Sequence, residues 1–363
     1  MRPPALRVLL LSPSLATGGN AATARRLAEA LRAEGAAVRT LATLDAGFPD
    51  RLGRALRSFR PDVVHALHAR KGGAAYLRHA LPGDPPLVIT LTGTEIHRDL
   101  ADPGRSRETL AALAAARIVL SHGRSLLAAA LAAVPSLEGR AAIVPKGVVL
   151  PPMDRRFDLR RRAGFPRDAV VFLLPAGLRE VKDPLFSLGP LARLRADDRR
   201  VCFVHAGETI EPALRAEFRR RARREPWVRT VGSLAASRMG SAYAGADVVL
   251  NTSRSEGLSN AVVEAQAAGR AVLVSDIPAN RELVSHGRTG LLYRAGDEDS
   301  FLRQARRLAR DPALRARLGT AARTSVARRF SSVAEARAVL AAYRGALGAA
   351  PRRTPTKVPR VPL

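Results

Sequence analysis

Two carboxylates eight residues apart are the feature of the sequence with the clearest chemical use. Glu256 and Glu264 follow the apolar run 247–251, and we expect a helix to begin near Leu258. Ionised carboxylates bind hydroxyl groups strongly, and the unpaired amides of a helix start favour an anionic group. The amides in question belong to Gly257, Leu258, Ser259 and Asn260. The loop therefore predicts a site for a ligand that carries both hydroxyl groups and negative charge.

Two cations follow a second apolar run. Arg179 and Lys182 come shortly after residues 170–174, and we expect Asp183 and Pro184 to be the N-cap and first residue of a helix. A planar guanidinium and a compact ammonium together suit a diphosphate. The chain has 60 basic residues, and its four lysines stand at positions 71, 146, 182 and 357. Because lysine is so rare here, its presence at 182 indicates a chemical requirement.

The elements that position these residues alternate between short apolar runs and Ala/Leu/Arg segments of helical period, which predicts βα units on parallel sheets. A helix is expected at 21–34. Strands are expected at 6–12, 38–44, 62–67, 87–91, 118–121, 141–145, 170–174, 201–205, 228–231, 247–251 and 271–275. Ligands bind beyond the carboxyl ends of such strands, where both groups of residues fall.

We predict an α/β protein with two tandem Rossmann-like, doubly wound parallel-sheet domains that face each other across a cleft. The expected parts are an N-terminal Rossmann-like domain (1–150), a linker (151–167), a C-terminal Rossmann-like domain (168–330), a helix that packs back on the N-terminal domain (331–348) and a disordered tail (349–363). The interval 148–167 is rich in proline and arginine, which suggests the linker.

Composition narrows the class of protein. The 363 residues are 47% hydrophobic and carry a net charge of +28, and the single cysteine, Cys202, excludes a disulfide scaffold or a cysteine metal cluster. Apolar runs are too short to span a membrane, so we expect a cytoplasmic chain. The charge reflects either arginine-rich composition or attraction to anions, including contact at the surface of an anionic membrane. With 4% aromatic residues, we expect no specific nucleic-acid partner.

The Glu-x7-Glu loop, the exit Gly177-x-Arg179 with Lys182, and the two tandem halves resemble the retaining glycosyltransferases of family 4, which have the GT-B fold. The resemblance covers residues 6–345. It implies that 1–150 is the acceptor-side domain and that 168–330 is the nucleotide-sugar-binding domain. It implies that Glu264 binds the ribose of a nucleotide sugar and that Glu256 binds the donor sugar. Arg179 and Lys182 would hold the diphosphate, and catalysis would need neither metal nor cofactor. The catalytic residues implied are Arg179, Lys182 and Glu256; donor contacts are also implied at Gly19, Gly232 and Ser233.

Four shorter segments, 17–20, 67–70, 91–94 and 178–184, resemble two narrower groups. One is the selenosugar synthases, which join a UDP-sugar to selenophosphate, and the other is the animal glycosyltransferase 1 domain-containing proteins. Many family 4 enzymes have a histidine where Thr92 stands, and His97 lies about a turn beyond. The acceptor-side candidates are Asn20, His68, Lys71, Gly72, Thr92 and Thr94.

Two features allow more than one interpretation. His65 and His68 end a strand, and the simpler interpretation has His65 buried and His68 on the surface. The alternative makes Lys71 and the Gly72–Gly73 amides an anion-binding helix start. Asp297 and Asp299 match a metal-binding spacing, but acidic residues at a helix start explain them more simply, and we expect no metal site.

The sequence therefore predicts a metal-independent glycosyltransferase that moves a hexosyl or N-acetylhexosaminyl group from a nucleotide donor, a UDP-sugar, to a small acceptor. An anionic acceptor is one candidate. The alternatives are a selenosugar synthase, a UDP-sugar 2-epimerase that needs no acceptor, and a basic nucleic-acid-binding protein with an inactive enzyme core.

Overall fold

The computed structural model describes residues 5–16, 18–149, 153–208 and 211–348. The expected tail 349–363, Thr17 of the segment 17–20, and residues 151–152 of the expected linker lie outside the described residues. Two six-stranded parallel sheets flanked by helices form the described chain, so the predicted fold class is confirmed.

The first sheet belongs to the N-terminal lobe and has the strand order β2-β1-β3-β4-β5-β6. Its strands are β1 (Arg7–Ser12), β2 (Ala37–Ala42), β3 (Val63–Leu67), β4 (Leu87–Thr90), β5 (Ile118–Ser121) and β6 (Ala141–Ile143). Its helices are α1 (Gly18–Ala33), α2 (Phe48–Arg54), α3 (Ala75–Leu77), α4 (Pro103–Ala115) and α5 (Arg124–Ala133). Short π-helical segments occupy Ala55–Phe59, Ala69–Ala74 and Glu95–Asp99, and a 3₁₀ turn occupies Pro135–Leu137.

The second sheet belongs to the C-terminal lobe and has the order β12-β11-β10-β7-β8-β9. Its strands are β7 (Val170–Pro175), β8 (Val201–Ala206), β9 (Val228–Gly232), β10 (Val248–Asn251), β11 (Ala271–Ser275) and β12 (Leu291–Tyr293). The helices are α6 (Leu159–Ala163), α7 (Leu188–Asp197), α8 (Pro212–Arg224), α9 (Ala236–Gly245), α10 (Asn260–Ala267), α11 (Pro278–Leu283), α12 (Glu298–Arg310), α13 (Pro312–Arg329) and α14 (Ser332–Gly348), and a 3₁₀ turn spans Glu180–Lys182. Sequence order reverses between β7 and β10, which is where such sheets bind ligands.

All eleven predicted strands are present, with ends that differ by at most two residues. The strand that the sequence did not predict is β12, whose three residues form too short a run to be recognised and which pairs with β11. The expected linker contains α6, with Asp158 as its N-cap, and Leu159 and Ala163 are buried in the C-terminal core. Arginines between these two apolar positions concealed the helix.

The last helix, α14, packs against α1 and completes the core of the N-terminal lobe. Tyr343 of α14 is buried and its hydroxyl lies 2.6 Å from His65 Nδ1 in β3. Arg26 of α1 forms an ion pair with the fully buried Glu335 of α14. The chain therefore crosses back to the lobe in which it started. Among the described residues, no helix combines the length and apolar character needed to cross a bilayer.

A carboxylate of the C-terminal lobe caps a helix of the N-terminal lobe. Glu282 in α11 accepts hydrogen bonds from the amides of Arg124 and Ser125, at 2.8 and 2.7 Å, and from the Ser125 hydroxyl. These amides begin α5 and have no partner within their own helix. The bonds are charge-assisted, and they attach the two lobes to each other at one side of the cleft.

We expect Glu282→Ala to lower the free energy of unfolding by about 1–2 kcal/mol, because the first amides of α5 lose a charged cap. Urea denaturation measures this change. Glu138→Ala removes a carboxylate that is exposed and is the matched control. Equal unfolding midpoints for the two variants would contradict this account of the cap.

Candidate active site

The two lobes meet where the loop after β10 lies against the loop after β4. A Cβ atom placed on Gly257 would stand 2.4 Å from the carbonyl oxygen of Thr92, and one on Gly93 would stand 2.6 Å from the Gly257 nitrogen. Gly93 also has φ +111°, a conformation that disfavours other residues. Backbone therefore touches backbone at this point, and only glycine permits the approach.

Lys182 and Glu256 form an ion pair beside this contact. Their Nζ and Oε1 atoms are 2.5 Å apart, and the side chains are 17% and 9% exposed. Glu256 Oε1 also accepts hydrogen bonds from Ser253 Oγ at 2.7 Å and Asn251 Nδ2 at 3.0 Å. Burial by itself would raise the pKa of Glu256, but Lys182 and these bonds outweigh it and hold the pKa below its ordinary value. Glu256 is therefore an ionised hydrogen-bond acceptor at neutral pH.

The backbone of Lys182 is held by the same loop. Thr252 Oγ1 donates to the Lys182 carbonyl at 2.6 Å, and the Arg254 amide donates to the Val181 carbonyl at 2.9 Å. Asp183 follows with left-handed backbone angles, φ 42° and ψ 55°. The prediction that Asp183 and Pro184 begin a helix is wrong, because this left-handed residue ends the 3₁₀ turn and α7 begins only at Leu188.

Glu264 lies in the second turn of α10, as the spacing predicted. The helix begins at Asn260 rather than near Leu258, because Ser259 is the N-cap and its hydroxyl accepts from the Val262 amide at 3.4 Å. Tyr243 Oη donates to Glu264 Oε2 at 2.9 Å. Burial raises the pKa of Glu264, and the Tyr243 bond together with nearby Lys146 and Arg26 opposes that shift in part.

The glycine loop of the N-terminal lobe reaches the start of α10. Asn260 Nδ2 donates to the Gly19 carbonyl at 3.1 Å and to Thr23 Oγ1 at 3.2 Å. Asn20 follows Gly19 in the first turn of α1 and is partly buried. Gly232 ends β9 with φ +73° and is followed by the exposed Ser233, on the edge of the sheet where β7 and β10 also end.

The acceptor-side candidates surround two buried carboxylates. Glu95 accepts from the Thr92 amide at 2.9 Å and the Thr92 hydroxyl at 2.8 Å, so Thr92 is oriented by its own loop. Asp99 lies 3.0 Å from Arg70 Nε and 3.7 Å from His68 Nε2. Thr94 is partly buried at the start of the π-helical segment, and His97 within the segment is exposed.

His68 and Gly72 differ from expectation. His68 is 2% exposed rather than on the surface, because a φ of +76° turns it inward, where Nδ1 accepts from the Lys71 amide at 3.3 Å. His65 is buried, as expected. The Gly72 and Gly73 amides donate to the His68 carbonyl at 2.9 and 3.1 Å. They are therefore not free to bind an anion, and the interpretation of Gly72–Gly73 as an anion-binding helix start is wrong.

Lys71 and Arg179 bring positive charge to the cleft from opposite lobes. Burial lowers the pKa of Lys71, and Arg70, Arg179 and Arg105 lower it further against the opposing effect of Asp99. Since Arg179 belongs to the C-terminal lobe, its effect places the two cations near each other across the cleft. The Nε atom of Arg179 is buried and has no hydrogen-bond partner among the described residues. The charged groups that act on Lys71 are therefore three arginines and one carboxylate, and positive charge is in excess.

Sequence reasoning missed several site residues, of which Lys146 is the most notable. Burial lowers its pKa to about 7, Arg26 contributes to the shift, and Glu264 and Glu256 oppose it. The rarity of lysine, which drew attention to Lys182, would also have found Lys146. Tyr243, Asn251 and Ser253 gave no signal in the sequence, because their roles depend on contacts with distant residues.

The described residues contain no group of three or more His, Cys, Asp or Glu side chains placed to hold a metal ion. Asp297, of the spacing Asp297-x-Asp299, is the N-cap of α12 and accepts from the Ser300 amide at 2.8 Å. The interpretation of this spacing as acidic residues at a helix start is confirmed.

Comparisons with known proteins show which sequences this chain is similar to. Residues 169–311 match the family model of glycosyl transferases group 1. Glycosyltransferase 1 domain-containing protein 1 of Xenopus tropicalis is 25% identical over 324 residues, which cover 86% of this chain and 90% of the relative. D-inositol 3-phosphate glycosyltransferase of Streptomyces avermitilis is 27% identical over 281 residues, which cover 72% of this chain and 60% of that enzyme.

Solved structures share the fold. Sucrose-phosphate synthase from Thermosynechococcus elongatus superposes with a TM-score of 0.76 at 20% identity, covering 94% of this chain and 98% of the other. HepE from Anabaena superposes with a TM-score of 0.77 at 18% identity, covering 94% and 100%. The fold is thus GT-B. Within this fold, the part of the chain that is similar to glycosyl transferases group 1 is residues 169–311, which lie in the C-terminal lobe.

Proposed function

We propose that this glycosyltransferase moves a hexosyl or N-acetylhexosaminyl group from a UDP-sugar to a small anionic acceptor without a metal ion. The observation that carries the proposal is the Lys182–Glu256 pair at the contact between the lobes. It places a fixed cation beside an ionised carboxylate. The cation suits a phosphate group and the carboxylate suits a sugar hydroxyl group, and a sugar phosphate carries both.

The donor would lie along the carboxyl edge of the second sheet. Glu264 would bind the ribose, Glu256 the sugar, and Lys182 and Arg179 the diphosphate. An ammonium has three N–H donors, of which Glu256 uses one, so two remain for phosphate oxygens. The HepE structures contain UDP-glucose or UDP, which supports a UDP-sugar here.

The acceptor would lie on the N-terminal side, where Lys71 faces Arg179. Three arginines and one carboxylate, Asp99, act on Lys71, so the positive charge in excess here favours an anion. The relative named D-inositol 3-phosphate glycosyltransferase supports this class, since its name describes a phosphorylated acceptor. Selenophosphate is a second candidate of the same charge type, and it would make this protein a selenosugar synthase.

In the reaction, the bond between the anomeric carbon and the diphosphate oxygen breaks, and the electron pair leaves with the phosphate. The acceptor atom forms the new bond to the anomeric carbon, and the proton that it loses would pass to an oxygen of the departing diphosphate. Negative charge builds up on the departing diphosphate, so fixed cations there lower the barrier more than groups elsewhere. Lys182 and Arg179 would supply that stabilisation.

A UDP-release assay tests the proposal. UDP-glucose and UDP-N-acetylglucosamine are each supplied alone, with inorganic phosphate, with D-inositol 3-phosphate and with selenophosphate. Acceleration by one of the anions supports transfer, and acceleration by selenophosphate alone identifies the selenosugar reaction. An epimer or free sugar formed without acceptor would instead indicate a 2-epimerase. Steeply salt-dependent DNA binding without UDP binding would indicate the nucleic-acid alternative.

We expect Glu264→Gln to weaken UDP binding by about 1.5–3 kcal/mol, because a hydrogen bond from the ribose to a charged acceptor is lost. Calorimetric titration with UDP measures this. Glu298→Gln changes an exposed carboxylate in α12 in the same way and is the control. Unchanged UDP affinity in the Glu264 variant would count against the ribose-binding role.

A further inference from the structure

Lys146 is a buried cation to which neither the donor nor the acceptor assignment gives a role. It follows β6 where the two lobes join and is 6% exposed. No hydrogen bond or ion pair joins it to any of the residues described. A buried ammonium without a partner is costly, so its position calls for an anion that the protein itself does not supply.

The backbone that carries Lys146 is fixed. A Cβ atom on the next residue, Gly147, would stand 2.5 Å from Arg26 Nη1 and 2.6 Å from Glu335 Oε2. The ion pair between α1 and α14 thus lies directly against the Gly147 backbone, and Ser332 Oγ donates to the Val148 carbonyl at 3.4 Å. The side chain of Lys146 is therefore presented from a rigid segment.

The charged groups around Lys146 come from both lobes. Glu256 and Glu264 approach from the C-terminal lobe, and Arg26 and His122 approach from the N-terminal lobe. Each nearby carboxylate has a nearer partner of its own, since Glu256 is bonded to Lys182, Glu264 to Tyr243 and Glu335 to Arg26. Lys146 is therefore not required to neutralise any of them.

We propose that Lys146 is a further donor-binding residue, the contact of the N-terminal lobe with the diphosphate of the nucleotide sugar. The inference rests on the proposed donor. Glu264 is assigned to the ribose and Glu256 to the sugar, and the diphosphate connects these two parts. Lys146 is a buried cation of the N-terminal lobe that acts on both carboxylates, so we place it beside the diphosphate.

This placement couples donor binding to the uptake of a proton by Lys146. The free protein holds the pKa of Lys146 at about 7, because burial and Arg26 outweigh the two glutamates. A bound diphosphate favours the charged form and raises that pKa, so UDP binding above pH 7 takes up a proton. His122 does not contribute, because burial lowers its pKa well below the ordinary value and it stays neutral.

The test is calorimetric titration with UDP at pH 7.5 and 8.5, in two buffers of different ionisation enthalpy. The second pKa of a phosphate group is about 6, so UDP itself stays ionised over this range. The proteins are the wild type, Lys146→Met, Lys146→Arg and the control Arg337→Met, which removes an exposed cation paired with Glu34.

We expect the wild type and Arg337→Met to take up a proton on binding and to lose up to about tenfold in affinity between the two pH values. Lys146→Met is expected to bind about 10- to 150-fold more weakly, with no proton uptake. Lys146→Arg should restore most of the affinity without proton uptake, because arginine stays charged.

Wild-type affinity in Lys146→Met would overturn the inference, and so would proton uptake that persists in either Lys146 variant. If Lys146→Met does not fold, Lys146→Arg alone decides through proton uptake. Failure of the wild type to bind UDP at all would contradict the proposed donor instead, so the two failures are distinguishable.

Discussion

Replacing Lys182 by alanine is expected to lower kcat by about 10²–10³-fold, which corresponds to about 2.7–4 kcal/mol. The reason is that Lys182 is a fixed cation, bonded to Glu256 and held through its carbonyl by Thr252, at the place assigned to the departing diphosphate. A group that is already positioned stabilises developing charge without reorganisation. Steady-state UDP release measures the loss.

The control for this variant is Arg193→Ala, which removes a cation from an exposed ion pair with Asp299 in the same lobe. It should keep wild-type turnover. Circular dichroism and the unfolding midpoint show whether Lys182→Ala is folded. In that variant the effect of burial is opposed by the Ser253 and Asn251 hydrogen bonds but no longer by Lys182, so the pKa of Glu256 should rise and residual activity should fall further towards acidic pH. Turnover close to that of the wild type would refute the assignment.

Gly257→Ala is expected to lower kcat/KM by about 10²-fold or more while both lobes stay folded. Its Cβ would stand 2.4 Å from the Thr92 carbonyl oxygen, a distance that real Cβ atoms do not adopt. Because the obstacle is backbone and not the end of a flexible side chain, the two loops must separate. A displacement of about 1 Å between reacting groups is enough for a loss of this size.

Gly345→Ala makes the same chemical change where the nearest atom would be 3.9 Å away, and it should leave the rate unchanged. Small-angle X-ray scattering with and without UDP reports lobe closure in both variants. A Gly257→Ala enzyme that closes and turns over like the wild type would show that the contact seen here is not part of the active form.

The parts of the site that follow strands could be predicted from sequence. Lys182 and Glu256 come a few residues after a buried apolar strand, and Glu264 lies in the helix that follows such a strand. Parallel sheets bring these positions to one edge. The central strands β1, β3, β8 and β11 were recognisable because their residues are buried on both faces. Strand β12 was missed because its apolar run has three residues and is flanked by Gly290 and Arg294.

The remaining details depend on contacts between distant residues. Thr252 and Arg254 donate hydrogen bonds to the backbone just before the left-handed turn at Asp183, and they lie about 70 residues further along the chain. His68 is buried because the neighbouring segment with Glu95 and Asp99 covers it, and no local pattern reveals this. The local sequence does not show that Arg179 lies near Lys71 of the other lobe, because this depends on how the two lobes come together.

The return of α14 to the first lobe has a consequence for how the chain is made. Ala336, Val339, Leu340 and Tyr343 are buried in the core built around β1, β3 and α1. A ribosome delivers the first lobe early, yet that lobe keeps an uncovered apolar face until the final helix has emerged. During translation the second lobe can therefore complete its own core before the first lobe does, although the first lobe is made earlier.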